Sequence, residues 1–291
     1  MENAISGSTR LLCLLGHPVA HSISPKMHNT ACTLNGLDYA YLAFDATEQT
    51  FGDIVHGLQA MNCRGFNLTM PFKTAIIPYL DELSEAARLA HSVNTVVCEG
   101  GRMIGHSTDG IGYMESVRDA GFDIIGKNMT LLGAGGAATS ICVQAALDGV
   151  KNIYMFKRKN QSFAQAQAFC EQISSQTPAS VHLYDLADLH QMEQCLQGSS
   201  ILVNATNVGM GQDTTSLVPK ELLYPDLIVS DIIYHPAMTP LLQDAAAVGC
   251  PYFNGMYMLL YQGAAAFRLW TGTDMPVDEI KKICFHKGDL S

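Results

Sequence analysis

Short apolar runs alternate with helix-length amphipathic segments along almost the whole chain, the pattern of helices covering a largely parallel sheet. Residues 11–15, 39–44 and 65–69 read as strands, with helices over 25–34 and 51–61 between them. Ser24 before Pro25 is a favourable helix start, because Ser can cap a free amide and Pro at the first helical position leaves none unpaired. Residues 109–120 read as a connecting helix. A second series of strands then follows at 129–132, 153–156, 181–184, 201–204 and 227–232, with helices between several of them. Residues 255–271 form a long helix expected to return to the first domain, making that domain discontinuous and leaving a cleft between the two. The length of 291 residues suits this two-domain α/β organisation. The expected division is 1–109, completed by about 256–291, and 110–255.

Charge removes some classes of function. With 17 basic against 27 acidic residues the net charge is −10, and nucleic-acid binding needs a dense cluster of phosphate-neutralising cations. The one basic run is Lys157-Arg158-Lys159. No stretch reaches the roughly 18 unbroken apolar residues of a membrane span, and the first residues lack the pattern of an export signal. The nine cysteines are odd in number, scattered and without C-x-x-C spacing, so they read as buried reduced thiols of a cytoplasmic protein. His17, His21 and His28 lack metal-ligand spacing and read as structural; no metal is expected.

The strand at 129–132 runs straight into Gly133-Ala134-Gly135-Gly136-Ala137-Ala138 and a new helix, the arrangement that binds a dinucleotide pyrophosphate. The first glycine permits the turn, the second lets phosphate approach the backbone, and small Ala138 lets helix and strand pack. An ordinary tight turn would look alike; the surrounding strand–helix–strand units favour the cofactor reading. The next strand ends in Phe156-Lys157-Arg158-Lys159-Asn160 with no carboxylate. An acid there would bind the ribose hydroxyls of NAD, whereas basic residues suit the extra phosphate of NADP. The run therefore favours NADP over NAD, unless its charges are merely solvated.

Three stretches are polar where a plain fold would be apolar: His21-Ser22-Ile23-Ser24-Pro25, Asn67-Leu68-Thr69-Met70-Pro71-Phe72-Lys73, and Asn94-Thr95 with Ser107-Thr108-Asp109-Gly110. Each falls near a predicted strand end, where parallel-sheet proteins place ligands. Taken singly, Lys73 could be a surface helix residue, Asp109 or Ser24 a helix cap, and Tyr41 part of a half-buried strand.

These stretches, with Gly16-His17-Pro18, Lys26-Met27-His28-Asn29, Val93-Asn94-Thr95, the glycine loop, Asn204-Ala205-Thr206, Val208-Gly209-Met210 and Met258-Leu259-Leu260-Tyr261-Gln262-Gly263-Ala264, resemble the shikimate dehydrogenase family in order along nearly the whole chain. The quinate/shikimate branch is the most similar. The resemblance implies an open-sheet substrate domain and a Rossmann-type domain binding NADP or NAD. It implies reversible reduction of 3-dehydroshikimate to shikimate, or the equivalent on quinate. Ser22, Ser24 and Tyr41 would bind the ring carboxylate, and Thr69, Asn94 and Gln262 the ring hydroxyls. Lys73 and Asp109 would be the catalytic pair, Lys73 moving the proton; a close ammonium suits the negative oxygen that develops in this reaction. The cofactor would meet Gly133, Ala134, Gly135, Gly136, Ala137, Lys157, Arg158, Lys159, Asn160, Ile232, Tyr234 and Gly255.

Departures from the family pattern are His91-Ser92 for Gly-Ala, Ser107 for Asn, Tyr257 for a glycine and Asn160 for an acid. The first two are expected beside the substrate. Thr69, where the dual-specificity branch tends to carry Ser, favours shikimate over quinate. A homodimer fits the resemblance. A dehydrogenase of an altered ring acid such as aminoshikimate, or a non-catalytic dinucleotide or shikimate sensor on the same fold, are the alternatives; retention of Lys73 with Asp109 argues against the sensor.

Overall fold

A computed structural model describes residues 5–285. The chain separates into two compact units, one ending at Gly112 and resuming at Leu260, the other spanning Tyr113–Leu259. Residues 1–4 and 286–291, including the end of the expected C-terminal completion, lie outside the described residues.

The first unit contains β1 (Arg10–Gly16), α1 (Ser24–Leu34), β2 (Tyr39–Asp45), α2 (Phe51–Ala60), β3 (Gly65–Leu68), β4 (Glu82–Leu83), α3 (Glu85–Ala90), β5 (Thr95–Glu99), β6 (Arg102–His106) and the start of α4 (Asp109–Asp119). Its six-stranded sheet runs β2-β1-β3-β5-β6-β4. Only β2-β1-β3 and the β4–β6 pair are parallel; β5 lies antiparallel to both β3 and β6. The expectation of a largely parallel sheet is thus corrected in this unit. The cause is local: Glu99 pairs with Arg102 across Gly100 and Gly101, whose φ values of 58° and 79° form the two-residue turn that folds a hairpin.

The second unit contains β7 (Asn128–Leu132), α5 (Gly136–Asp148), β8 (Asn152–Lys157), α6 (Phe163–Gln176), β9 (Ser180–Asp185), α7 (Leu189–Gln197), β10 (Ile201–Asn204), β11 (Ile228–Asp231), α8 (Pro240–Val248) and β12 (Tyr252–Phe253). Its sheet is wholly parallel and ordered β12-β11-β10-β7-β8-β9. Counted from β7, that is the 3-2-1-4-5-6 order of a dinucleotide-binding Rossmann sheet, whose ligand crevice lies beyond the strand ends where the order reverses. Two further helices follow, α9 (Met256–Thr271) and α10 (Val277–Cys284).

Alternation decides which faces are filled. In β1, Cys13 and Leu15 join Phe66, Leu68, Phe72 and Val96 in the core beneath α2, while Leu12 and Leu14 pack with Tyr41, Val97, Ala266 and Trp270. The Trp270 indole donates to the Val96 carbonyl at 2.9 Å. It packs so closely on β3 that a Cβ at Gly65 would stand 2.3 Å from its nitrogen. Gly263 likewise lets α9 close on α1, since a Cβ there would meet Met27 Cε at 2.3 Å. In the second unit Ala138, Ile141, Cys142 and Ala145 bury one side of α5. All nine cysteines are buried and none is in a disulfide. Among the described residues no helix is long and apolar enough to cross a membrane.

Candidate active site

The ends of β1 and β3 and the beginning of β5 lie at one edge of the first sheet. Parallel β1 and β3 finish together there, Leu15 opposite Leu68, and antiparallel β5 starts there with Thr95 opposite Asn67. Thr69, just beyond β3, donates its backbone amide to Leu15 O at 2.9 Å. Its methyl fits against Gly16, where a Cβ would fall 2.1 Å from Thr69 Cγ2. Residues 70–76 form turns rather than the surface helix that Lys73 alone suggested. Phe72 anchors them, stacked on Phe51 with ring centroids 4.3 Å apart. Val93 N bonds Lys73 O at 2.9 Å, fixing the lysine main chain to the segment that carries Asn94.

Lys73 Nζ donates to Asp109 Oδ2 at 2.6 Å, with the lysine side chain 23% and the aspartate side chain 10% exposed. Asp109 opens α4 and accepts from Asn94 Nδ2 on its other oxygen at 2.9 Å. Asn94 Nδ2 also faces Thr108 Oγ1 at 2.9 Å and Gln262 Oε1 at 3.3 Å. Asn94 Oδ1 accepts the Thr108 amide at 2.6 Å, an obligate donor that settles which way the Asn94 side chain points. Lys73, Asp109, Asn94 and Gln262 thus form one hydrogen-bonded group drawn from four separate parts of the sequence.

Ser22 and Ser24 sit at the start of α1. Ser24 is not the cap the sequence suggested: Ile23 holds that position without a side-chain bond, and Ser24 lies inside the first turn before Pro25. The Ser24 amide donates to Ser22 Oγ at 3.2 Å, and its hydroxyl meets that of Tyr41. Tyr41 is fully buried and donates to Asn67 Oδ1 at 2.8 Å. Burial, the larger cause, raises its phenol well above the usual tyrosine range. His28 is completely enclosed, stacked on Tyr41 at 4.4 Å, with neither ring nitrogen bonded. Burial drops its pKa from 6.5 to about 3, so it is a neutral packing residue.

Asn67, Thr95 and Thr108 fall in the polar stretches singled out in the sequence but had no role assigned there; all are buried and all are bonded to this group. Their signal was present in polar residues at strand ends, but the existence of β5 was needed to bring them together. Of the departures, His91 has a backbone role. His91 is exposed and ends α3 in the left-handed conformation, φ 47° and ψ 40°, where glycine is the natural cap residue. Ser92 and Ser107 are buried.

In the second unit Gly133 has φ 110°, and a Cβ there would come 2.9 Å from Ala205 O. Gly135 occupies the N-cap of α5 with no side-chain bond, so the opening amides at Gly136, Ala137 and Ala138 have no acceptor within the helix. Positive φ, open space around Gly135 and these amides fit a pyrophosphate. Ala134 lies in the same half-exposed turn. After β8, Asn160 organises the loop: its Oδ1 accepts from Lys157 Nζ, from Ser162 N at 3.2 Å and from Ser162 Oγ at 3.0 Å. Arg158 and Lys159 are exposed. Gly255 presses under β11's exit so closely that a Cβ would lie 1.8 Å from Ile232 O. Tyr234 is half-buried and its phenol is raised by burial. Asp231, which no sequence signal singled out, is buried and accepts from Asn204, Thr239 and the Ile233 amide, holding the loops after β10 and β11. Burial, the largest cause, raises its carboxyl.

Comparison with known proteins identifies the family. The shikimate dehydrogenase substrate binding domain matches residues 14–96, and the shikimate 5'-dehydrogenase C-terminal domain matches residues 255–284. A shikimate dehydrogenase (NADP(+)) from Listeria monocytogenes is 50% identical, covering 97% of each chain. A crystal structure of shikimate 5-dehydrogenase from Listeria monocytogenes with shikimate and NAD superimposes with a TM-score of 0.93 at 50% identity, covering 97% of this chain and 98% of that one. A quinate dehydrogenase from Corynebacterium glutamicum with NAD gives a TM-score of 0.83 at 27% identity, over 94% and 98%. With half its residues identical over nearly its full length, this chain belongs to the shikimate dehydrogenase family.

Proposed function

We propose that the chain is a shikimate dehydrogenase that reversibly reduces 3-dehydroshikimate to shikimate, with NADP preferred to NAD. The observation that carries this reading is the Lys73–Asp109 pair at 2.6 Å, braced by Asn94 at 2.9 Å, in a chain half identical to named shikimate dehydrogenases. The first unit holds the ring acid and the second the cofactor.

A nicotinamide cofactor held by the second unit would supply or take up the hydride. When the ketone is reduced, negative charge grows on its oxygen, and the Lys73 ammonium stabilises that charge and delivers the proton. In the reverse direction Lys73 accepts it. Asp109 keeps the ammonium in place through Oδ2, while Asn94 occupies Oδ1. Asn94, Gln262 and Thr69 bind ring hydroxyls, and Ser22 and Ser24 hold the carboxylate. Tyr41 supports that end from behind, since its one hydroxyl hydrogen already goes to Asn67. The amides at Gly136 and Ala137, with Gly133, Ala134 and Gly135 making room, hold the pyrophosphate. Arg158 and Lys159 neutralise the NADP ribose phosphate, with Lys157 and Asn160 shaping their loop. Ile232, Tyr234 and Gly255 line the nicotinamide end.

Thr69 favours shikimate over quinate. Its methyl, lodged against Gly16, fixes the side-chain rotamer and therefore the direction of the hydroxyl. The enzyme works in the cytoplasm, as reduced buried thiols suit, and as a homodimer. The direct test is absorbance at the reduced-nicotinamide band with shikimate and quinate, each against NADP and NAD. Turnover of shikimate with NADP exceeding the other three combinations is expected. No turnover of either ring acid would overturn the proposal.

A further inference from the structure

We infer that Asn67 is a positioning residue for the dehydrogenase reaction, holding Asn94 where it can brace Asp109 and Lys73; this rests on the reading of the site given above. Asn67 lies on β3 and is buried, and the polarity of its amide is fixed. The backbone carbonyl of Asn94 can only accept, and Asn67 Nδ2 lies 3.0 Å from it. The nitrogen therefore faces Asn94, and Oδ1 faces the Tyr41 hydroxyl, which must donate across 2.8 Å.

The same Asn67 nitrogen donates to Thr95 Oγ1 at 2.9 Å. With a donor already aimed at it, the Thr95 hydroxyl can pass its own hydrogen to Thr108 Oγ1 at 3.1 Å. Thr108 Oγ1 in turn donates to Asn94 Oδ1 at 3.2 Å, beside the Thr108 amide. With Oδ1 saturated, Asn94 directs its nitrogen to Asp109 Oδ1. One directed series of bonds in this buried cluster runs from Tyr41 to the catalytic carboxylate, an arrangement in which successive hydrogen bonds polarise one another, while Asn94 Nδ2 also lies 2.9 Å from Thr108 Oγ1. The strand ladder supplies the Asn94 carbonyl with only one other donor, the Leu68 amide at 2.9 Å. The Asn94 amide in turn donates to His106 O at 3.1 Å, and the Asn67 side chain adds a tie from within the cluster, at the residue where the sheet delivers a ligand to Asp109.

Asn67→Asp has nearly the same shape and tests the donor. An ionised carboxylate can only accept, so it faces the Asn94 carbonyl with like polarity, and the chain of donors loses its origin. Asn94 both braces Asp109 and binds a ring hydroxyl, so its displacement should lower kcat about ten- to a hundredfold at about pH 8.5, with a smaller rise in KM for shikimate and KM for NADP changed less than about threefold. Burial raises the pKa of the new acid, and once protonated it can again donate to Asn94 while accepting from Tyr41. The ratio of variant to wild-type kcat should therefore climb about tenfold as the pH is lowered to about 6.

Circular dichroism and urea unfolding of the variant at both pH values check that the folded enzyme is compared. A variant unfolded at pH 8.5 but folded and active at pH 6 would also support the inference, because the donor then governs the site's assembly. Wild-type kcat in the variant, a loss confined to KM, or a kcat ratio flat with pH would overturn the inference while leaving the proposed function intact. Wild-type protein inert towards both ring acids would overturn the two together.

Discussion

Replacing Lys73 by Met keeps the aliphatic stem and removes only the ammonium, which separates charge from packing. In the folded chain that ammonium lies 2.6 Å from Asp109 Oδ2, and the lysine side chain is about three-quarters covered. On the proposed mechanism it meets the oxyanion as charge develops there. Loss of one such group costs about 2.7–4 kcal/mol of transition-state stabilisation, so kcat should fall about a hundred- to a thousandfold. The KM for NADP should hardly change, because the glycine loop belongs to the other unit. Asp109 is left with Asn94 as its remaining side-chain donor, at a cost of about 1–3 kcal/mol in folding that urea titration can measure. Lys73→Arg should not restore the rate: a planar fork in place of a compact ammonium cannot keep the same single contact to Oδ2. If the pair acts as a unit, Lys73→Met combined with Asp109→Asn should be little slower than the worse single variant. Steady-state kinetics with shikimate and NADP decide the matter. A kcat for Lys73→Met within about threefold of wild type would remove the lysine from proton transfer.

Neutralising Arg158 and Lys159 with Gln should raise KM for NADP more steeply at low than at high salt and leave NAD unaffected; equal changes for both cofactors would make the pair ordinary surface charge. Thr69→Ser should raise kcat/KM for quinate relative to shikimate by about tenfold, by freeing the hydroxyl from the rotamer that Gly16 imposes, and an unchanged ratio would exclude Thr69 as the selector. His91→Gly should stabilise the fold by about 1 kcal/mol in urea titration, since the residue holds φ 47°, and should leave the shikimate-to-quinate ratio unaltered. His28 is neutral when folded and takes a proton when unfolded, so its contribution is complete above about pH 6.5 and is lost as the pH falls towards 3. His28→Phe should therefore remove about 2 kcal/mol of the wild-type loss of stability between pH 8 and pH 5, and parallel pH profiles for the two proteins would contradict the enclosed, unpartnered imidazole.

Some of this architecture could be read from residue order because the information is local. The second unit is built from repeated strand–helix steps whose partners are nearby in sequence. Gly133, with φ 110°, and Gly135, at the N-cap of α5, answer backbone demands of the turn itself, although the room at Gly133 is also set by Ala205 from the neighbouring strand end. The hairpin of β5 and β6 carried an equally local sign, the Gly100-Gly101 pair, yet expecting parallel strands concealed it. The consequence reaches the site. In a parallel sheet the edge that holds ligands collects the last residues of strands, which suits Thr69 after β3. Asn94 comes just before β5 and would be carried to the opposite edge if that strand were parallel. Antiparallel pairing brings it to the same edge as Asn67, through Thr95.

Tyr41 and His91 show the limit of reading residues without neighbours. Tyr41 offers a hydroxyl in a strand beside two serines, which suits a carboxylate ligand; only the fixed amide of Asn67 reveals that its hydrogen is already committed. His91 replaces a family glycine beside Asn94 and so invites a role in specificity. Its backbone answers differently, for a glycine ending α3 in the left-handed region is a demand of helix termination. Proximity in sequence to a ligand-binding residue therefore says little about a side chain until the conformation at that position is known. The identities of Lys73, Asp109, Asn94 and Gln262 come from chemistry that tolerates few substitutes. Their arrangement comes from a strand direction and an amide orientation that no single residue specifies.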